Sequence, residues 1–294
     1  MNPLVRMLSG LSKHLVTLIP ASMLLGLAAG LMVDFSAAKV LILPMTMLMV
    51  YPMLVNFKPA QALNLDDSKA VGLAMALDFI ALPLVAWGLA LIFFRDQPGL
   101  YVGMVLAGLF PTSGMTISWT GFAKGNVAAA VKMTVIGLIV ASLLAPVYLS
   151  VFAGKVVPVD LLGVLQTVLL VVGVPMLAGA ATRTLLVKRY GAEQYKTRIA
   201  PAFPGLSTVG VIAIVFLAIA LKAKMIVSNP QMLLTIAIPL VLFYGINFVL
   251  STVLGKALLP RGDAIAVVYG TVMRNLSIAL GIAVINIDPP TVLF

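Results

Sequence analysis

The sequence predicts an all-α integral membrane protein, and three observations carry that prediction. Of its 294 residues, 62% are apolar and 10% charged, against roughly half and a quarter in soluble domains. The apolar residues fall in blocks long enough to cross the ~30 Å hydrocarbon core of a bilayer. The loops between blocks are too short for a separate soluble domain, so backbone groups facing lipid must be paired inside helices. The chain has no cysteine, which removes disulfides, thiolate metal sites and thiol catalysis together.

Nine spans follow in order, at 15–33, 38–57, 69–94, 99–122, 126–153, 158–182, 203–221, 231–254 and 262–287. The first has basic flanks in Arg6 and Lys13, but its apolar core is too long for a typical cleaved leader. Span three carries Asp78, the one acid deep in an apolar block. In span four, Pro111 removes an amide hydrogen and disfavours helix at Phe110, and Gly114 loosens the next turn. Span five carries Lys132, close enough to its start to snorkel. Pro44, Pro52, Pro83, Pro146, Pro175 and Pro239 are expected only to kink their helices. In span nine, Gly270, Arg274, Asn275 and Ser277 interrupt an aliphatic run. A tenth span begins at Pro289 and reads as a truncated last helix where the sequence stops at Phe294.

The loop cations orient the bundle. With the N-terminus inside, twelve Lys and Arg fall on the cytoplasmic side (Arg6, Lys13, Lys58, Lys69, Lys124, Arg183, Lys188, Arg189, Lys196, Arg198, Lys256 and Arg261). Five fall outside, at Lys39, Arg95, Lys155, Lys222 and Lys224. This asymmetry predicts a cytoplasmic N-terminus, in a protein expected in a prokaryotic inner membrane. The formal charge of +10 is then an insertion signal with contact to membrane lipid, not a nucleic-acid surface.

Arg274 lies about twelve residues from either end of its span, some ~18 Å of helix. Burying a charge there costs at least ~2.5 kcal/mol, so it must face a partner or a cavity, and the default reading is a functional site. With Asp78 and Lys132 it makes a candidate site, and neutralising Arg274 should spare insertion. Hydroxyls at Thr112, Ser113, Thr116 and Ser118 gather at the break in span four. Two broken spans five apart suit inverted halves, and such breaks in matching positions point to a transporter's midplane site.

The stretch GMVLAGLFPTSGMTISWTGFAKGNVAAAVKMT at 103–134 resembles the fourth and fifth helices of the bile acid:sodium symporter family and its arsenite-permease relatives. AKGNVA at 123–128 is its most specific part. RNLSIALGIAV at 274–284 resembles that family's second unwound helix, and DFIALP at 78–83 its third. The resemblance implies one transmembrane domain over 1–294, with ten helices in two inverted five-helix repeats and two interrupted helices that cross. It implies a core domain at 69–153 and 231–294 and a panel domain at 15–57 and 158–221.

It also implies sodium sites, and here the chain departs from the family pattern. A serine-asparagine pair becomes Thr116 and Ile117, and a serine and threonine of span five become Ala130 and Thr134. A shared glutamate falls on Gly270, a glutamine on Arg274 and the glutamine of span three on Asp78; because the family counterparts of Asp78 and Arg274 share one ion site, the resemblance implies that the two are neighbours and that a charge swap restores part of what either single variant loses. Oxygens are lost and cations gained. Like charges ~4 Å apart repel by ~4 kcal/mol at an effective dielectric of 20, so free sodium is not expected beside Arg274.

The sequence has no HExxH or GxxxxGK motif, one histidine (His14) and one acidic pair, Asp66 and Asp67, read as a solvated loop. No enzyme chemistry and no cofactor or metal site is expected. The function read here is a secondary transporter of a small organic or metalloid anion, working by alternating access. Its candidate binding residues are Asp78, Thr112, Ser113, Thr116, Ser118, Lys132, Thr134, Arg274, Asn275 and Ser277. The coupling ion is sodium or a proton, and the protein a monomer or homodimer. The alternatives are a sodium-coupled bile-acid-like symporter, an arsenite efflux permease and an anion channel.

Overall fold

The computed structural model describes residues 7, 8, 10, 11, 14–55, 66–113, 115–154, 160–276, 278, 279 and 282. The segment read as a tenth span lies outside the described residues. Among the described residues all regular structure is helical. The protein is an all-α membrane protein. Among the described residues, seven helices are long and apolar enough to cross a bilayer. Spans four and nine are missing from that count because each is broken.

The chain divides into two compact units. The first takes residues 1–57 and 170–232. It contains α1 (Leu15–Met32), a 3-10 turn at Ser36–Leu41 and α2 (Ile42–Val55). Most of α7 follows, a helix that starts at Leu161–Val168, passes through a π turn at Leu169–Gly173 and continues as Val174–Tyr190. The unit ends with α8 (Ala202–Ser228). Its helices approach through small residues, as they must where lipid gives no hydrophobic drive to association. A Cβ at Gly26 would lie 2.5 Å from the Phe216 carbonyl oxygen, and one at Gly210 would lie 2.7 Å from Met49 N. Buried hydroxyls fasten the same seams: Ser22 donates to Ile212 O at 2.8 Å and Ser207 to Met49 O at 2.7 Å.

The second unit takes residues 58–169 and 233–294. Its first helix, α3, runs Ser68–Ala76, then a π turn at Leu77–Ala81, then Leu82–Phe93. Span four becomes α4 (Pro98–Leu109) and α5 (Met115–Phe122). Next come α6 (Val127–Ala153), most of α9 (Pro230–Leu258) and α10 (Arg261–Val272). Ala70, Ala74, Ala129, Ala130 and Ala266 pack with Val71, Leu77, Met133 and Val267 where α3, α6 and α10 meet. Alanines there let three helices close on one another. Helix α9 exposes an apolar face that includes Val241, Phe248 and Val249, which suits contact with lipid.

The prolines divide into two kinds. Pro52, Pro146 and Pro239 sit inside helices. Pro83 and Pro175 each follow a π turn instead of a simple kink. Pro83 cannot donate to the turn before it, and the Tyr148 hydroxyl of α6 donates to Phe79 O in its stead. That π turn is the one that carries Asp78.

Candidate functional site

The break in span four leaves carbonyls without partners, and one side chain answers them. In a continuous helix Ala107 O would accept from residue 111 and Gly108 O from residue 112. Residue 111 is a proline with no N–H, and Thr112 has left the helix with φ of 52°. The Arg274 guanidinium replaces both donors: Nε donates to Ala107 O at 3.2 Å and Nη2 to Gly108 O. Its Nη1 donates to Asp78 Oδ1 at 2.6 Å and reaches Thr271 O at 3.5 Å. Neither side chain of the ion pair is exposed. The Phe243 ring of α9 lies 6.0 Å from the guanidinium carbon.

The second break is built against the first. Helix α10 ends at Val272 and Met273 turns out of it with ψ of 88°. Asn275 N then donates to Phe110 O at 2.9 Å, so the two interruptions are joined backbone to backbone. The Asn275 side chain accepts from Ile278 N at 3.4 Å, an N-cap for the helical turn that follows. Thr271 O, freed by the same break, also takes a bond from Asn247 Nδ2 at 2.9 Å. Arg274 thus sits where the C-terminal, negative ends of α4 and α10 converge, the place a helix dipole favours a cation. Left without a hydrogen-bond partner among the described residues are buried oxygens at Asp78 Oδ2 and Asn247 Oδ1.

The other predicted residues divide around this centre. Thr112 donates to Thr134 O at 3.4 Å and Thr116 to Tyr269 O at 3.3 Å, linking the break in span four to α6 and α10. Ser113 N bonds Thr116 Oγ1 at 3.3 Å. The Thr134 hydroxyl is spent on Ala130 O, one turn back in its own helix. Ser277 and the Ser118 side chain lie outside the described residues. Arg274 meets Asp78 as the resemblance implied, and it also does more. Four of its N–H contacts go to protein oxygens, so it is a paired, capping cation and not a free positive charge.

Lys132 belongs to a second cluster. Its ammonium lies 2.7 Å from Asp67 Oδ2, just before α3, and the two side chains are 5% and 13% exposed. Asn126, in the AKGNVA stretch, N-caps α6 by accepting from Ala129 N at 3.1 Å. Its Nδ2 lies 2.7 Å from Asp67 Oδ1 and 2.7 Å from Asp263 Oδ1, while its backbone N donates to Gly262 O at 2.8 Å. One amide therefore fastens the starts of α3, α6 and α10. Asp67, expected in a solvated loop, is instead a tied carboxylate. The Lys132 ammonium, with help from Asn126, holds its pKa below the usual carboxylate range.

Asn126→Ala is expected to lower stability by about 1 to 2 kcal/mol, the usual worth of an N-cap, read as a fall in thermal unfolding temperature in detergent. An unchanged midpoint would remove Asn126 from this role. The pH dependence has a definite sign. A carboxylate with a lowered folded pKa contributes fully above its unfolded pKa and loses that contribution as pH falls through the folded value. The tie is therefore intact at neutral pH and released in acid.

Asn247 and the Asp67–Asn126–Asp263 tie were not among the predicted site residues. An amide seventeen positions into an apolar span was a visible signal for Asn247. Nothing in the local pattern marked Asp67, whose partners come from α6 and its preceding loop. Among the described residues, no group of three or more His, Cys, Asp or Glu comes together as a metal site.

Comparison with known proteins adds the last observation. A family model described as Sodium Bile acid symporter family matches residues 43–229. The chain is 24% identical over 291 residues to an arsenical-resistance protein of Corynebacterium glutamicum, covering 95% of this chain and 75% of the relative. It is 27% identical over 247 residues to an uncharacterized sodium-dependent transporter of Bacillus subtilis, covering 80% and 73%. It is 28% identical over 202 residues to a probable sodium/metabolite cotransporter of the Arabidopsis thaliana chloroplast, covering 66% and 48%.

Proposed function

The chain belongs to the Sodium Bile acid symporter family and is a membrane transporter, and from that premise we propose that it carries a small organic anion by alternating access without binding free sodium. The observation that carries this reading is the Arg274–Asp78 pair at the joined breaks. A guanidinium there supplies the positive charge that the convergent carbonyl ends of α4 and α10 attract. It does so permanently.

The neighbouring position supports the same reading. Where the resemblance puts a shared glutamate, the chain has Gly270, and a Cβ there would lie 2.9 Å from Met133 Sδ. Met133 is fully buried among alanines and valines. A dry thioether stands where an oxygen ligand would be needed. With Arg274 neutralised by Asp78, attraction for an anion falls to the N-terminal end of α5, whose positive dipole end favours negative groups, and to the turn that Asn275 caps. Thr112, Ser113, Thr116 and Asn275 stand at those ends.

In this reading the unit with the crossing is the core and the other unit the panel, the N-terminus is cytoplasmic, and the membrane is a prokaryotic inner membrane. Arsenical cargo, which the name of the Corynebacterium relative brings to mind, fits poorly. The permeases of that branch carry a cysteine in the fourth helix, and this chain has none.

Uptake into proteoliposomes tests the proposal. Replacing sodium by potassium or choline is expected to leave the rate of anion uptake unchanged, and a strict sodium requirement would overturn it. One observation favours proton coupling over simple facilitation: Asp78 Oδ2 is buried with no partner among the described residues, a place where a proton can be held. An imposed pH gradient should then accelerate uptake, while indifference to it leaves a facilitator and takes Asp78 out of coupling.

A further inference from the structure

Arg183, in the first unit, is a second cation with an unusual setting. It is the first residue beyond the apolar block 158–182, on a helix that continues to Tyr190, so it sits at the level where hydrocarbon gives way to headgroups. It is half-buried. Its guanidinium carbon lies 5.9 Å from the centre of the Tyr195 ring. Tyr195 is itself held beneath the end of α2, its hydroxyl donating to Val55 O at 3.2 Å. Arg183 Nε is buried and has no hydrogen-bond partner among the described residues. No carboxylate answers it either: the ion pairs among the described residues are those of Lys132 and Arg274.

A buried guanidinium N–H without an acceptor is costly, so an acceptor belongs there. The surroundings say of what kind. The hydroxyls of Tyr51 and of Thr182, the residue before Arg183, share one hydrogen bond of 2.8 Å, and Tyr51 and Arg183 both lie within electrostatic reach of Tyr195; the bond uses one of the two hydroxyl protons and leaves the other to donate. The connecting segment carries Lys188, Arg189, Lys196 and Arg198, all exposed, against Glu193 alone. A planar fork, a spare hydroxyl proton and a positive rim match a phosphate bidentately. Basic recesses between membrane helices on the cytoplasmic side are places where phospholipid headgroups bind.

We propose that Arg183, with the Tyr51–Thr182 hydroxyl pair, binds the headgroup phosphate of an anionic phospholipid at the seam of α2 and α7. The stacking on Tyr195 holds the guanidinium plane in place before the lipid arrives. The phosphate accepts from Nε and a terminal N–H together, and the exposed cations around it select lipids with net negative charge.

The test is native mass spectrometry of the full chain in neutral detergent. Phosphatidylglycerol is expected to stay bound through detergent exchange and phosphatidylcholine to wash away; equal retention of the two would overturn the proposal. Arg183→Gln should weaken phosphatidylglycerol retention about tenfold, the worth of one charge-assisted contact. Arg189→Gln, an exposed cation on the same segment, should change it by less than about twofold, as a screened surface charge does. Loss in Arg189→Gln with none in Arg183→Gln would replace a built site by diffuse attraction. Should Arg183→Gln not fold, Arg183→Lys decides: the charge is kept and the fork lost, and full retention would refute bidentate binding. Excess inorganic phosphate is expected not to displace the lipid, and displacement would reassign the site to a soluble phosphate.

Discussion

Arg274→Gln is expected to abolish uptake in proteoliposomes and to lower stability by about 3 to 5 kcal/mol, the cost of leaving one member of a buried ion pair uncompensated. The structure adds this second part. On sequence alone, removing an intramembrane charge eases insertion and touches only the site. In the fold, the same side chain supplies the donors that Pro111 and the displaced Thr112 withhold from Ala107 O and Gly108 O. Removing it unpairs Asp78 and uncaps α4 in one step. Arg274→Lys separates charge from geometry: an ammonium restores the charge beside Asp78 but has no planar fork to span acceptors on α3, α4 and α10. It should insert as well as the parent chain and transport poorly. Unimpaired uptake by Arg274→Gln would remove the residue from the mechanism.

Asp78→Asn is expected to stop transport as well, because a fully buried guanidinium then faces carbonyls alone. The pairing is best measured as a cycle. Asp78→Asn with Arg274→Gln removes both charges at similar volume, and the double variant should be more stable than the sum of the singles predicts, with a coupling of about 0.5 to 3 kcal/mol. Additive losses in thermal unfolding would mean that the pair contributes nothing specific. The charge swap, which the resemblance alone expects to rescue in part, is expected to fail in this fold. A carboxylate at position 274 has no N–H to give Ala107 O and Gly108 O, so the sign of the pair can be inverted but its hydrogen bonds cannot. Recovery of uptake by Asp78→Arg with Arg274→Asp would show that charge alone matters.

How far the site could be read beforehand depended on the kind of information each residue carries. Pro111 announces a broken helix because a missing N–H is a property of the residue itself. Arg274 and Asp78 announce burial because depth in an apolar block is a property of a short window. Their partnership reached across 196 positions, and it came from the resemblance, since no local pattern contains it. Pro83 shows the opposite failure. It reads as one more tolerated proline, yet in the fold it ends the π turn that carries Asp78, and its missing donor is made good by Tyr148, 69 residues beyond Phe79.

The sequence by itself therefore determined the membrane, the seven unbroken spans and the two breaks, since hydrophobic length, charge depth and absent amides act locally. It also marked the AKGNVA stretch without saying what the stretch does. Tertiary structure alone decided the partners. Asn126 became a tie among α3, α6 and α10, Lys132 was drawn to Asp67 and away from the crossing, and Arg274, besides pairing with Asp78, became the cap of α4. A buried donor or acceptor must find a complement somewhere, but which one it finds depends on how distant helices pack, and that is settled by the whole bundle at once.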